Sequence, residues 1–170
     1  MFRALILFFA LVHVAGGQGF GRVVYWSPDD TLQAIVSPTY KEKPDFSEHS
    51  VEIRIKTGAL IAKEDYSSSD REHGRCVLKA GWSPDSNFFA FSTTSSGGHS
   101  VWHVSTFAFN RKQKRIFYLD DFVGGSLVEK DFYFSSPAIF HSKRNNWTEE
   151  KQVSEEPIPV DVDLNNVDFK

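Results

Sequence analysis

One cysteine in 170 residues, Cys76, leaves the chain with no internal disulfide and no thiolate pair for zinc. Basic residues are also scarce: 19 Lys and Arg stand against 22 Asp and Glu, a formal net charge of −3. That balance excludes a surface dedicated to nucleic acid. Beyond the N-terminus no window carries the 3.6-residue apolar stripe of a helix, which excludes helical bundles. No G-x-S-x-G elbow, H-E-x-x-H helix, P-loop or dinucleotide fingerprint is present, so no cofactor is expected and enzyme activity is the lesser expectation. Aromatic residues are plentiful, with 16 phenylalanines; 41% hydrophobic and 24% charged residues are enough for a core and exclude wholesale disorder.

The N-terminus predicts export. Arg3 precedes the apolar run Ala4 to Val14, and Ala15, Gly16 and Gly17 supply the small residues of a cleavage site before Gln18. The run is shorter than the about 20 residues of a spanning helix, so residues 1–17 read as a signal peptide. A periplasmic or secreted chain with no transmembrane segment after cleavage is expected, with residues 18–170 as a single β domain.

An internal repeat organises that domain. Trp26-Ser27-Pro28-Asp29 recurs as Trp82-Ser83-Pro84-Asp85, 56 residues later. An ungapped slide keeps Leu32 on Phe88, Ala34 on Ala90, Val51 on Phe107 and Ile53 on Phe109. The two copies run over about 22–66 and 78–122, and residues 131–170 form a degenerate C-terminal part, in which 131–141 begin a third, imperfect copy with Ser136-Pro137 about three positions early. Val51 to Ile55 alternates apolar and charged residues, the period of a strand with one wet face. Thr57-Gly58 and Asn110 to Arg115 read as turns, and Ser-Pro-Asp suits a tight turn. The expected fold is all-β: two blade-like antiparallel sheets, packed as an open or incomplete propeller or sandwich, with Val160 to Phe169 returning as an edge strand.

Trp82-Ser83-Pro84-Asp85 followed by Asn87-Phe88-Phe89-Ala90-Phe91 resembles the W-S-P-D-G-x-x-[ILF]-A-[FY] signature of TolB-type, WD40-like β-propeller blades. Tyr25 to Ile35 is a looser match. Both copies lack the glycine after the aspartate, with Asp30 and Ser86 in its place. Asp65 to Trp102 also resembles uncharacterised bacterial exported proteins. The first resemblance implies repeats that serve as interaction platforms and assigns structural roles to Trp26, Pro28, Asp29, Trp82, Pro84 and Asp85. The internal repeat predicts that Trp26 and Trp82 occupy equivalent buried sites, each just before a Ser-Pro-Asp turn.

Candidate binding residues cluster in loops. Gly97-Gly98-His99-Ser100-Val101-Trp102-His103 pairs flexible glycines with two histidines and a tryptophan, and His73 lies in another connection. Imidazoles there can meet a metal or an anionic ligand, and an exposed tryptophan makes a contact anchor. The duller reading is an ordered hairpin with Trp102 packed inward. Asp161-Val162-Asp163 alternates like a calcium loop, but Asn166 stands where the sixth-position glycine belongs, and an edge strand with wet carboxylates fits better. Cys76 reads as a small buried hydrophobe, and Arg111 to Arg115 as a solvated turn. The leading expectation is an exported, non-enzymatic module binding an unknown protein or small ligand of the cell envelope through its loops. The alternative is a metal-dependent or hydrolytic enzyme built on His73, His99 and His103.

Overall fold

The computed structural model describes residues 21–40, 48–97, 104–145 and 156–169. The signal-type segment lies outside them. The fold is all-β, as expected. The first sheet is β1 (Val23–Trp26), β2 (Leu32–Pro38), β3 (His49–Ile55) and β4 (Leu60–Asp65), hydrogen-bonded in chain order. The second repeats that order with β5 (Arg75–Trp82), β6 (Phe88–Ser95), β7 (Ser105–Asn110) and β8 (Arg115–Tyr118). A third sheet, rather than the two packed sheets expected, forms from the C-terminal part. In it β10 (Ile139–Arg144) lies between β9 (Tyr133–Ser135) and β11 (Ile158–Asp163). The edge strand expected over 160–169 is β11, which stops at Asp163 because a 3₁₀ turn, Leu164–Asn166, takes over. All pairings are antiparallel. No helix of the described residues is long and apolar enough to cross a membrane.

The three sheets stack as layers with the second in the middle. Successive side chains of a strand point to opposite faces, and β6 uses both. Phe89 and Phe91 enter a cluster with Leu32, Ala34, Val51 and Ile53 of the first sheet. Phe88 and Ala90 enter another with Phe140 and Val160 of the third sheet and with Phe132 and Ala138, which adjoin its strands. Buried on both faces, β6 reads as a continuous apolar run rather than an alternation.

Strand register corrects one detail of the repeat. Ala34 pairs with Ile53, whereas its counterpart Ala90 pairs with Ala108, not with Phe109. The connection before β7 is one residue shorter than that before β3, so the ungapped frame slips there by one. A one-residue slip exchanges the two faces of a strand. Phe107 and Phe109 therefore correspond in space to Glu52 and Arg54. The reason is physical: Glu52 and Arg54 lie on the outer face of the first sheet, ion-paired at 2.8 Å, whereas Phe107 and Phe109 lie on a face that the first sheet covers.

Candidate functional site

The connections between second and third strands, and the link from the first sheet to the second, emerge at one end of the stack. A single buried carboxylate ties them together. Glu48, just before β3, accepts hydrogen bonds from the Ser68 backbone N–H (2.6 Å) and hydroxyl (2.7 Å), the Gly74 N–H (2.7 Å) and the Ser96 hydroxyl (2.7 Å). Burial pushes its carboxyl up, but the Ser68, Ser96 and Gly74 donors outweigh burial and hold it below the usual range. Beside it, His49 is buried and its Nδ1 accepts from the Val77 N–H at 3.2 Å. Burial lowers the pKa of that imidazole. Cys76 follows as the buried residue expected, its thiol pushed up by burial and then by the charge of Glu48.

Of the four candidate binding residues, the described structure places one. His73 lies exposed on the link between sheets, its Nδ1 2.5 Å from Asp70 Oδ2. The Glu72 backbone N–H, Ser68 and His73 together hold the Asp70 carboxyl far below its ordinary value. His99, Trp102 and His103 lie outside the described residues. The segment holding them follows Gly97 in the chain, and Gly97 follows Ser96, which is bonded to Glu48 and whose N–H donates to the Gly74 carbonyl at 2.9 Å. Among the described residues no group of three His, Cys, Asp or Glu side chains converges as metal ligands do.

The opposite end carries the Ser-Pro-Asp turns, and their bonding is duplicated. Ser27 Oγ donates to Asp29 at 2.7 Å and accepts from the Leu32 N–H at 2.9 Å; Ser83 does the same with Asp85 at 2.6 Å and Phe88 at 3.0 Å. Asp30 and Ser86, which replace the missing glycines, both adopt positive φ (55° and 64°), the conformation that favours glycine. The turns also join the layers. The Asp29 N–H donates to Ser86 Oγ (3.0 Å), and the Asp85 N–H to the Pro137 carbonyl (3.1 Å). Arg111 donates to Asp29 at 2.6 Å, and Asn165 to Asp85 at 3.1 Å. Arg111, the first residue of the basic cluster, is thus a tie between layers. Burial raises the Asp29 carboxyl, but Arg111, Ser27 and Thr31 outweigh it, and the group stays well below its ordinary range.

The expected equivalence of the tryptophans does not hold. Trp82 packs on Phe89 (5.1 Å between centroids) and Phe109 (6.3 Å), and its indole N–H donates to the Tyr25 carbonyl at 2.9 Å. Trp26 is 48% exposed. Each pairs with the equivalent β2 or β6 residue, Gln33 or Phe89. That face is covered by the first sheet for Trp82, whereas Trp26 lies on the outside of the stack. Trp82→Ala is expected to cost about 2–3 kcal/mol in urea unfolding and Trp26→Ala under about 1 kcal/mol. Equal losses would refute the assigned faces.

One further group comes together only in the folded chain. On the outer face of the third sheet, His141 Nε2 lies 2.7 Å from Ser135 Oγ, and its Nδ1 lies 2.6 Å from Asp161 Oδ1. Tyr133 stacks on the imidazole, with centroids 4.3 Å apart and planes at 10°. Asp161 and Tyr133 sit directly across from His141 on β11 and β9, and Ser135 lies diagonally on β9. The signal was the polar alternation of the three strands. It became legible only with their pairing, because Asp161 is 20 residues from His141 in the chain.

No protein-family model matches the chain, and no curated protein is similar to it.

Proposed function

We propose that the chain is an exported binding module whose loops at the Glu48 end engage a protein or small ligand of the cell envelope. The observation that carries this reading is the brace itself. Glu48, Ser68, Gly74 and Ser96 come from three separate connections, and one buried carboxylate fixes them as a common base. Loops held on a rigid base present side chains without the ordering cost of a free segment. On this reading the contact residues are His73 and, outside the described residues, His99, Trp102 and His103, with recognition needing no chemistry.

The test is a variant carrying His99→Ala, Trp102→Ala and His103→Ala together. Its thermal midpoint should stay within about 2 °C of the parent, as surface changes do. Its capture of partner from the native envelope fraction, scored against the parent chain, should fall at least about tenfold, the size of a hot-spot loss. Undiminished capture by the folded variant would refute the reading.

A further inference from the structure

We propose that Ser135, His141 and Asp161 form an acyl-transfer site on the outer face of the third sheet, hydrolysing small carboxylic esters. This activity is separate from the loop end and does not depend on it. The geometry is that of an activated nucleophile: a hydroxyl within hydrogen-bond reach of an imidazole, whose other nitrogen is held by a carboxylate. The distances are 2.7 Å and 2.6 Å. The three side chains come from three adjacent strands, so backbone ladders rather than loops fix their spacing, which favours precise placement.

Each group has one role. Ser135 Oγ is the nucleophile. His141 Nε2 removes its proton as Oγ bonds to the ester carbonyl carbon, then returns that proton to the leaving alkoxide as the C–O bond breaks. The acyl-serine is resolved by water, which gives its proton to Nε2. The serine leaves protonated and the acid is released, so the balance is ester plus water to acid plus alcohol. Asp161 is a positioning residue: it accepts the Nδ1–H and keeps Nε2 free as the base. Tyr133, stacked on the ring, blocks its rotation on that side.

Placement sets the substrate class. Asp161 is 68% exposed and Tyr133 64%, while the His141 side chain is 18% exposed. An open sheet face reaches a short acyl group on an activated alcohol without needing a deep enclosure. By contrast, the outer face of the first sheet carries the ion pairs of Glu52 with Arg54 and Lys63.

The probe is a fluorophosphonate, in which Oγ–P forms as P–F breaks and fluoride leaves. Peptide mapping should find the phosphonyl group on Ser135, and Ser135→Ala should carry none. Labelling should slow at least about tenfold in His141→Gln, because general-base help is worth 10² or more in efficient sites. Asp161→Asn should slow it too and, as a structural role would not, shift the imidazole ¹⁵N signals toward the other tautomer. Circular dichroism and an unchanged urea midpoint for Ser135→Ala establish that the variants are folded. Phosphonylation of a different serine, or no labelling of the folded parent while an established serine hydrolase is fully labelled alongside, would overturn the proposal. So would equal labelling rates in parent and His141→Gln.

Discussion

Replacing Glu48 with alanine should cost about 3–4 kcal/mol, among the large single-site losses expected in the molecule. The estimate rests on what is left behind. The Ser68 and Gly74 backbone N–H groups and the Ser68 and Ser96 hydroxyls lose a charged acceptor at 2.6–2.7 Å. Hydrogen bonds to a charged group are worth about 1.5–3 kcal/mol each, and buried donors left unsatisfied cost about 1–3 kcal/mol. Those terms overlap because the loop relaxes, so the sum is not additive. Glu48→Gln keeps the shape but turns an NH₂ toward donors, and about 2 kcal/mol is expected. Gly74→Ala should be as damaging as Glu48→Ala, since a β-carbon at Gly74 would overlap the Glu48 carboxylate carbon and the Tyr66 carbonyl oxygen. Equilibrium urea unfolding of the three variants checks the order.

The same cluster sets an acid limit. His49 has its folded pKa lowered, so the unfolded chain takes up protons first, and the stabilisation is lost as pH falls from about 6.5. Glu48, also lowered, contributes stability present above about 4.3 and lost as pH falls further through its folded value. Both groups push the same way. Stability should decline in two stages on acidification, and Glu48→Gln should shrink the lower stage, to which Asp29 and the other lowered carboxyls still contribute, while leaving the upper. A parent chain equally stable at pH 7 and pH 4 would contradict the assignment.

What sequence could and could not show follows from where each constraint resides. Alternation in Val51 to Ile55 and the turn chemistry of Ser-Pro-Asp are local, and the strands and turns formed where that chemistry put them. The face of β7 was not local. It depends on a connection one residue shorter than its counterpart, and an ungapped frame hides such a change while exchanging Phe107 and Phe109 to the other side. Trp26 and Trp82 share a position in the repeat. Their exposure differs because a layer covers one and not the other, a property of the stack. Glu48 looks like any loop acid until Ser68, Gly74 and Ser96, 20 to 48 residues away, are brought to it. His141 is likewise unremarkable until β9 and β11 flank it.

Phe89→Ala should destabilise the chain by about 3–5 kcal/mol, the loss of a fully buried aromatic together with the cavity it leaves. Phe89 has no exposed surface, and its ring contacts Tyr25 at 5.5 Å, Trp82 at 5.1 Å and Phe91 at 6.0 Å. It is the centre of the interface between the first two sheets. Phe140, also fully buried, holds the corresponding place between the second and third, against Phe132 and Phe134. Among the described residues the two rings share no ring partner, and they belong to separate clusters. Stacked layers that contact only their neighbours behave as nearly independent interfaces. Phe89→Ala and Phe140→Ala should therefore add within about 0.5 kcal/mol in the double variant, whereas Phe89→Ala with Trp82→Ala should fall short of additivity by about 0.5–1.5 kcal/mol because their rings touch. The comparison separates two architectures. Strong coupling between Phe89 and Phe140 would mean one continuous core running through the middle sheet. Independence there, with coupling between Phe89 and Trp82, is the result expected of three layers whose central strand β6 sends Phe88 to one side and Phe89 to the other.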